Sequence, residues 1–100
     1  MTLEEKEAAI ITHYGVIPQL KYFQSEIFEL NEAIIKAEEF KKANDRYNIF
    51  NISDITEEIA DVQMMLNQFK KFYGISDIPL DVIMNKKANR QLERIANEHN

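Results

Sequence analysis

Ser25-Glu26-Ile27-Phe28-Glu29-Leu30 and Glu57-Glu58-Ile59-Ala60-Asp61-Val62 repeat one short pattern: an acid, two residues, a second acid, and an aliphatic residue directly after each acid. The sequence around both copies has the period of an α-helix. Placed at about 100° per residue, Leu20, Phe23, Ile27, Leu30, Ile34 and Ala37 form one apolar arc, and Ile55, Ile59, Val62, Leu66, Phe69 and Tyr73 form another. Glu26 falls inside the first arc beside Leu30 and Ala33, and Glu58 falls inside the second beside Val62 and Met65. Glu29 and Asp61 lie at the arc edges, one turn on, in the same phase on both helices.

Working outward, the chain reads as four helices and no strand. Thr2 and Glu5 have capping-box spacing and open a first helix from about Thr2 to Tyr14, which Gly15 ends. Pro18 suits the first turn of a second helix, which runs to about Ala43. Asn44 to Asn51, polar with Tyr47 and Phe50, reads as a loop. A third helix starts near Asp54, where Asp54 and Glu57 repeat the capping-box spacing, and stops at Gly74. A fourth begins around Ile78-Pro79 and runs to about Glu98. The predicted fold is therefore all-α: one domain over residues 1–100, a four-helix bundle-like protomer with helices paired antiparallel.

Composition narrows the function. Hydrophobic residues make up 45% and charged residues 29% of 100 positions, which suits a globular domain rather than a disordered chain. The net charge of -5 disfavours a nucleic-acid polymer as partner, because phosphate neutralisation needs clustered Lys and Arg. With no cysteine there is neither a disulfide framework nor a thiolate metal site. The acidic start Met1-Thr2-Leu3-Glu4-Glu5-Lys6-Glu7 does not resemble a signal peptide, and no apolar run approaches the roughly 18 to 20 residues of a membrane span. Cytoplasmic location and no membrane partner are the expectations.

A carboxylate on a core-facing arc is costly unless positive charge compensates it. Of the 12 Lys and Arg, none lies on the two arcs near the acids. A hard divalent cation on oxygen ligands, magnesium or manganese, is the simpler compensation, with Glu26, Glu29, Glu58 and Asp61 as ligands. Acidic pairs on helices are commonly a solvated face. Two pairs in one phase inside apolar arcs point instead to a metal-binding helical bundle. A redox di-metal centre would need Glu-x-x-His spacing, but Ile10 and Ala96 stand three residues before His13 and His99.

The order Glu26-x-x-Glu29, 28 residues, Glu58-x-x-Asp61 resembles the signature of the MazG-like, all-alpha nucleoside triphosphate pyrophosphohydrolases. Gln19 resembles a Gln that precedes the family's first motif, and Glu58 to Leu66 resembles its second motif and following apolar run. Lys87-Ala88-Asn89-Arg90-Gln91-Leu92-Glu93-Arg94-Ile95 resembles its C-terminal helix, although Gln91 stands where some relatives carry a base. The resemblance spans about Pro18 to Ile95. It implies magnesium-dependent hydrolysis of nucleoside triphosphates to monophosphate and pyrophosphate, a hydrolase role in nucleotide-pool cleansing. It further implies four acids as metal ligands, with Glu26 and Glu29 catalytic, and substrate bound by Gln19, Lys86, Lys87, Asn89 and Arg90, the last four reaching its phosphates. His13, Tyr14, Tyr22 and Phe23 are base-pocket candidates. The alternative is a non-catalytic helical interaction or regulatory module on the same fold. Phe28 and Ile35 lie off the main arc, so a homo-oligomer, dimer or tetramer, is expected to bury them.

Overall fold

The computed structural model describes residues 1–98; His99, set aside above as a ligand, lies outside the described residues. The elements are α1 (Leu3–Tyr14), α2 (Val16–Asn44), α3 (Ile49–Tyr73) and α4 (Asp77–Glu98), and there is no strand among the described residues. None of these helices is long and apolar enough to cross a membrane.

The helix ends follow local chemistry. Thr2 and Glu5 form both bonds of the capping box, each 3.1 Å. Gly15, at φ 85, turns α1 directly into α2 with no loop. Asp45 takes the left-handed conformation that closes α2, its N–H donating to the Lys41 carbonyl at 2.8 Å.

The start of α3 differs from the sequence expectation. Asn48 is the N-cap, its side-chain oxygen accepting from the Phe50 N–H at 2.8 Å, so the helix begins before Asp54. The Asp54–Glu57 spacing is a false capping box inside the helix. The amide of Asn48 satisfies an orphan N–H first, and the apparent loop shrinks to a few residues.

At the other end Gly74, at φ 66, closes α3 in a Schellman motif: Ile75 N–H donates to the Lys70 carbonyl at 2.9 Å and Gly74 N–H to that of Lys71 at 3.3 Å. A Cβ at Gly74 would meet nothing within 4 Å, so only backbone strain opposes a side chain there. Gly74→Ala is expected to cost about 1 kcal/mol, the price of a left-handed Ala. The melting temperature should then fall by roughly 4–8 °C for a domain of this size. An unchanged melting curve would refute it.

α2 and α3 form an antiparallel hairpin, with α1 packed against α3 and more lightly against α2. The hairpin seam repeats every three and four residues: Gln19, Phe23, Glu26, Leu30, Ala33, Ala37 and Phe40 on α2, and Asn51, Ile55, Glu58, Val62, Met65 and Phe69 on α3, all buried or half-buried. This is a heptad seam. Phe23 and Phe69 meet edge to face across it, with centroids 5.6 Å apart.

The seam corrects the apolar arcs read from sequence. Phe23, Leu30, Ala37, Ile55, Val62 and Phe69 are in it. Leu20, Ile27, Ile34, Ile59, Leu66 and Tyr73 are instead 40–62% exposed, beside it. In heptad terms the exposed row, extended by Ile52, occupies e positions of both helices, and in an antiparallel pair these fall on one flank. The opposite flank carries Tyr22, Glu29, Asp54, Asp61 and Gln68, and α1 packs over its lower part, Asn67 donating to the buried Glu7 carboxylate at 2.9 Å.

α4 is present as a helix, but it packs on none of the other three and buries no residue. The bundle is therefore three helices. The side chains of α4 sort into an apolar side (Leu80, Met84, Ala88, Leu92, Ile95) and a basic side (Lys86, Lys87, Arg90, Arg94). Lys70 donates to Asp77 across the α3–α4 turn.

Candidate metal centre

The acids meet halfway along the hairpin. Glu26 and Glu58 occupy seam positions on facing helices, and Asp61 lies one turn beyond Glu58. Each of Glu26, Glu58 and Asp61 offers a carboxylate oxygen within 4.8 Å of the other two. Octahedral ligands at about 2.1 Å stand about 4.2 Å apart on opposite sides of an ion, so small side-chain rotations would close this group on magnesium or manganese. Glu29 lies against Glu58 on the exposed flank and shares in its field. The four acids predicted from the sequence thus form one cluster, two at the bottom and two at the mouth.

The electrostatics are those of a site without a counter-charge. Glu26 is 4% exposed. The Oε2 atoms of Glu26 and Glu58 are buried and have no hydrogen-bond partner. No Lys or Arg among the described residues pairs with any of the four acids. Burial pushes the Glu26 carboxyl above the usual carboxylate range, the nearby Tyr22 hydroxyl pulls it down, and the charges of Asp61 and Glu29 push it up further. Burial also raises Glu58, followed by the charges of Glu29 and Asp61. Two buried oxygens with nothing to bond, on residues that face each other across a seam, are the donor set a hard cation would satisfy.

These shifts give a pH dependence with a definite sign. Both carboxyls bind protons more tightly folded than unfolded, so their contribution to stability is fullest at low pH and is lost as pH rises through the folded pKa values. In chelator, lowering the pH from neutral toward the ordinary carboxylate range should raise the melting temperature. Magnesium bound by these acids would compete with those protons and should raise stability most at the higher pH, flattening or reversing the trend. A melting temperature that is indifferent to pH in chelator would show that the two acids are not in this environment.

Beside the acids, toward α1, lies a cavity of about 660 Å³ whose wall includes Tyr14, Tyr22, Gln19, Gln68, Met65 and Asp61. Gln19, expected to touch substrate, is 8% exposed and donates its amide to Gln68 Oε1 at 2.7 Å. Of the base-pocket candidates, Tyr14 and Tyr22 line this cavity. His13 stacks edge-on against Tyr14 with centroids 4.7 Å apart, and Phe23 belongs to the seam with Phe69. Gln68 was missed. Its signal was its place seven residues after Asp61, two turns along the same side of α3.

The basic residues are arranged differently. Lys86, Lys87, Asn89 and Arg90 ride on α4 and are not brought to the four acids. Lys86, Lys87 and Arg90 share one side of the helix, which Arg94 extends, whereas Asn89 lies about 200° around the helix from Lys87. Lys87 and Asn89 therefore cannot both reach one phosphate group from a straight α4. Comparisons with protein-family models, with curated proteins and with solved structures returned no match to this chain.

Proposed function

We propose that this chain hydrolyses ribo- or deoxyribonucleoside triphosphates to the nucleoside monophosphate and pyrophosphate, with magnesium, or manganese in its place, held by Glu26, Glu29, Glu58 and Asp61. One observation carries the proposal: Glu26 and Glu58, each with a buried carboxylate oxygen that has no partner, converge with Asp61 beside a cavity of about 660 Å³. The spacing of the four acids, with its resemblance to MazG-like pyrophosphohydrolases, supplies the reaction class.

A divalent ion at this cluster would supply charge neutralisation for the triphosphate and polarise the attacking water. The chain's own residues do the rest. Glu26 and Glu58, fixed by the seam, set the depth of the site. Glu29 and Asp61 stand at its mouth, where solvent reaches them. Of the two catalytic candidates, Glu29 is the better placed to take the water's proton, because Glu26 is shielded from solvent. The water oxygen bonds to the α-phosphorus, and the bond from that phosphorus to the oxygen bridging it to the β-phosphorus breaks. Pyrophosphate leaves with the electron pair. Little more than positioning and neutralisation is required for such chemistry.

The proposal includes a homo-oligomer. The exposed flank of Leu20, Ile27, Ile34, Ile52, Ile59 and Leu66 has the seven-residue spacing of a second coiled-coil seam. Phe28 and Ile35 are also exposed, at 64% and 48%. A second copy is the occupant of that flank. The basic side of α4, unpartnered in its own protomer, then complements the acid cluster of a second copy and brings Lys86, Lys87 and Arg90 to the phosphates.

The experiment is pyrophosphate release from a panel of ribo- and deoxyribonucleoside triphosphates in magnesium, in manganese and in chelator. Metal-dependent release of one pyrophosphate per monophosphate is expected. Absence of both turnover and metal binding would replace this reading with the non-catalytic interaction module.

A further inference from the structure

Two of the four buried polar side chains among the described residues are primary amides, and they meet. Gln19 is 8% and Gln68 2% exposed, and they join α2 to α3 at 2.7 Å in the wall of the cavity next to the acids. Beyond that bond their amide groups find only the Met65 thioether, at 3.9 Å from Gln19 Nε2 and 3.8 Å from Gln68 Nε2. A thioether is a weak acceptor. A carboxamide offers two donors and two acceptor sites, so this pair holds hydrogen-bonding capacity that the protein itself leaves unfilled. Neither amide has a heteroatom that is both buried and without a partner, so this free capacity is not shut into the interior.

Resting on the hydrolase reading above, we infer that the Gln19–Gln68 amide pair in this cavity reads the hydrogen-bonding edge of the substrate's base, with Gln68 the specificity-determining residue. Tyr14 and Tyr22 stand in the same wall and offer ring surface to a planar heterocycle. Asp61 borders both the cavity and the metal cluster, so a ligand lying there would have its phosphates at the acids and its base at the amides. The geometry also explains why two amides serve here. Turning both by 180° keeps one Gln–Gln hydrogen bond and exchanges donor for acceptor toward the cavity. The pair therefore accepts keto and amino edges alike, while rejecting a substrate with no polar edge to offer.

The test compares nucleoside triphosphates with methyl triphosphate, which carries the reacting phosphates and no base, in wild type, Gln68→Leu and Gln68→Glu. Gln68→Leu should lower kcat/KM for nucleotides by about ten- to a hundredfold, the cost of leaving a base edge unpaired, while leaving methyl triphosphate unchanged. Gln68→Glu, which as a carboxylate only accepts, should reorder the panel toward bases that present a donor. An equal loss on both substrate types would make Gln68 merely structural, and an unchanged base ranking in both variants would remove it from recognition. Wild-type protein that cleaves neither substrate would overturn the hydrolase reading itself, a result distinct from either.

Discussion

Glu58→Gln is expected to abolish magnesium-dependent pyrophosphate release, by at least about a hundredfold, while the helical circular dichroism spectrum stays intact. The size follows from position. Glu58 is the seam acid of α3, and its buried Oε2 has no hydrogen-bond partner. Gln keeps the shape and one oxygen, but loses the charge that draws a cation. The same change removes a carboxyl that burial and its neighbours Glu29 and Asp61 disfavour in its charged form. In chelator at about pH 7 the variant should therefore melt higher than wild type, and in magnesium lower relative to it. Crossed effects of metal on stability separate a ligand from a packing residue: a lost structural contact would depress the melting temperature in both solutions. Full turnover in the variant would take Glu58 out of the site.

Placing a charge on the exposed apolar flank should have the second large effect. Ile59 is 51% exposed in the protomer, and Ile27 on the facing helix is 40% exposed. A side chain at such a position costs little to change if the surface is free. If a second copy covers it, Ile59→Glu puts an unpaired charge into an apolar interface, at a cost of several kcal/mol. Sedimentation equilibrium at micromolar protein should show wild-type oligomer and Ile59→Glu monomer. Turnover should fall with the oligomer, because in the proposed assembly the basic residues of α4 reach phosphates only from another copy. Wild type sedimenting as a monomer would refute the assembly. A monomeric variant with full turnover would refute the supply of bases in trans while leaving the interface standing.

The two acid pairs were legible from phase alone, because a helix fixes which residues share a side at about 100° per residue, whatever it packs against. Three of the four acids offer oxygens within 4.8 Å, and the fourth adjoins Glu58. Gln68 was not legible. A glutamine on a helix has no distinctive pattern until a partner such as Gln19 arrives from another element. The Asp54–Glu57 spacing misled because a capping box is a local pattern that recurs by chance, whereas Asn48 wins the helix start through an actual bond to the Phe50 N–H.

Sequence by itself determined the four helices, the Thr2–Glu5 capping box, the ends at Gly15 and Gly74, and the shared phase of Glu26/Glu29 and Glu58/Asp61, since these depend on neighbours within a turn or two. Only the tertiary structure decided which side of each long helix became interior. Apolar residues occupy two adjacent rows, Phe23–Leu30–Ala37 and Leu20–Ile27–Ile34, and hydrophobicity cannot rank them. Hairpin packing took the first row and, with it, the row of Gln19, Glu26 and Ala33. The polar residues went inside and the aliphatic row stayed out. The seam of an antiparallel pair needs residues alternating three and four apart on both helices at once, a condition set by the partner helix and not by either sequence alone. The same limit applies to α4: its helix and its two-sided pattern were written in the sequence, but its detachment from the bundle was decided by what the other three helices left for it to pack on.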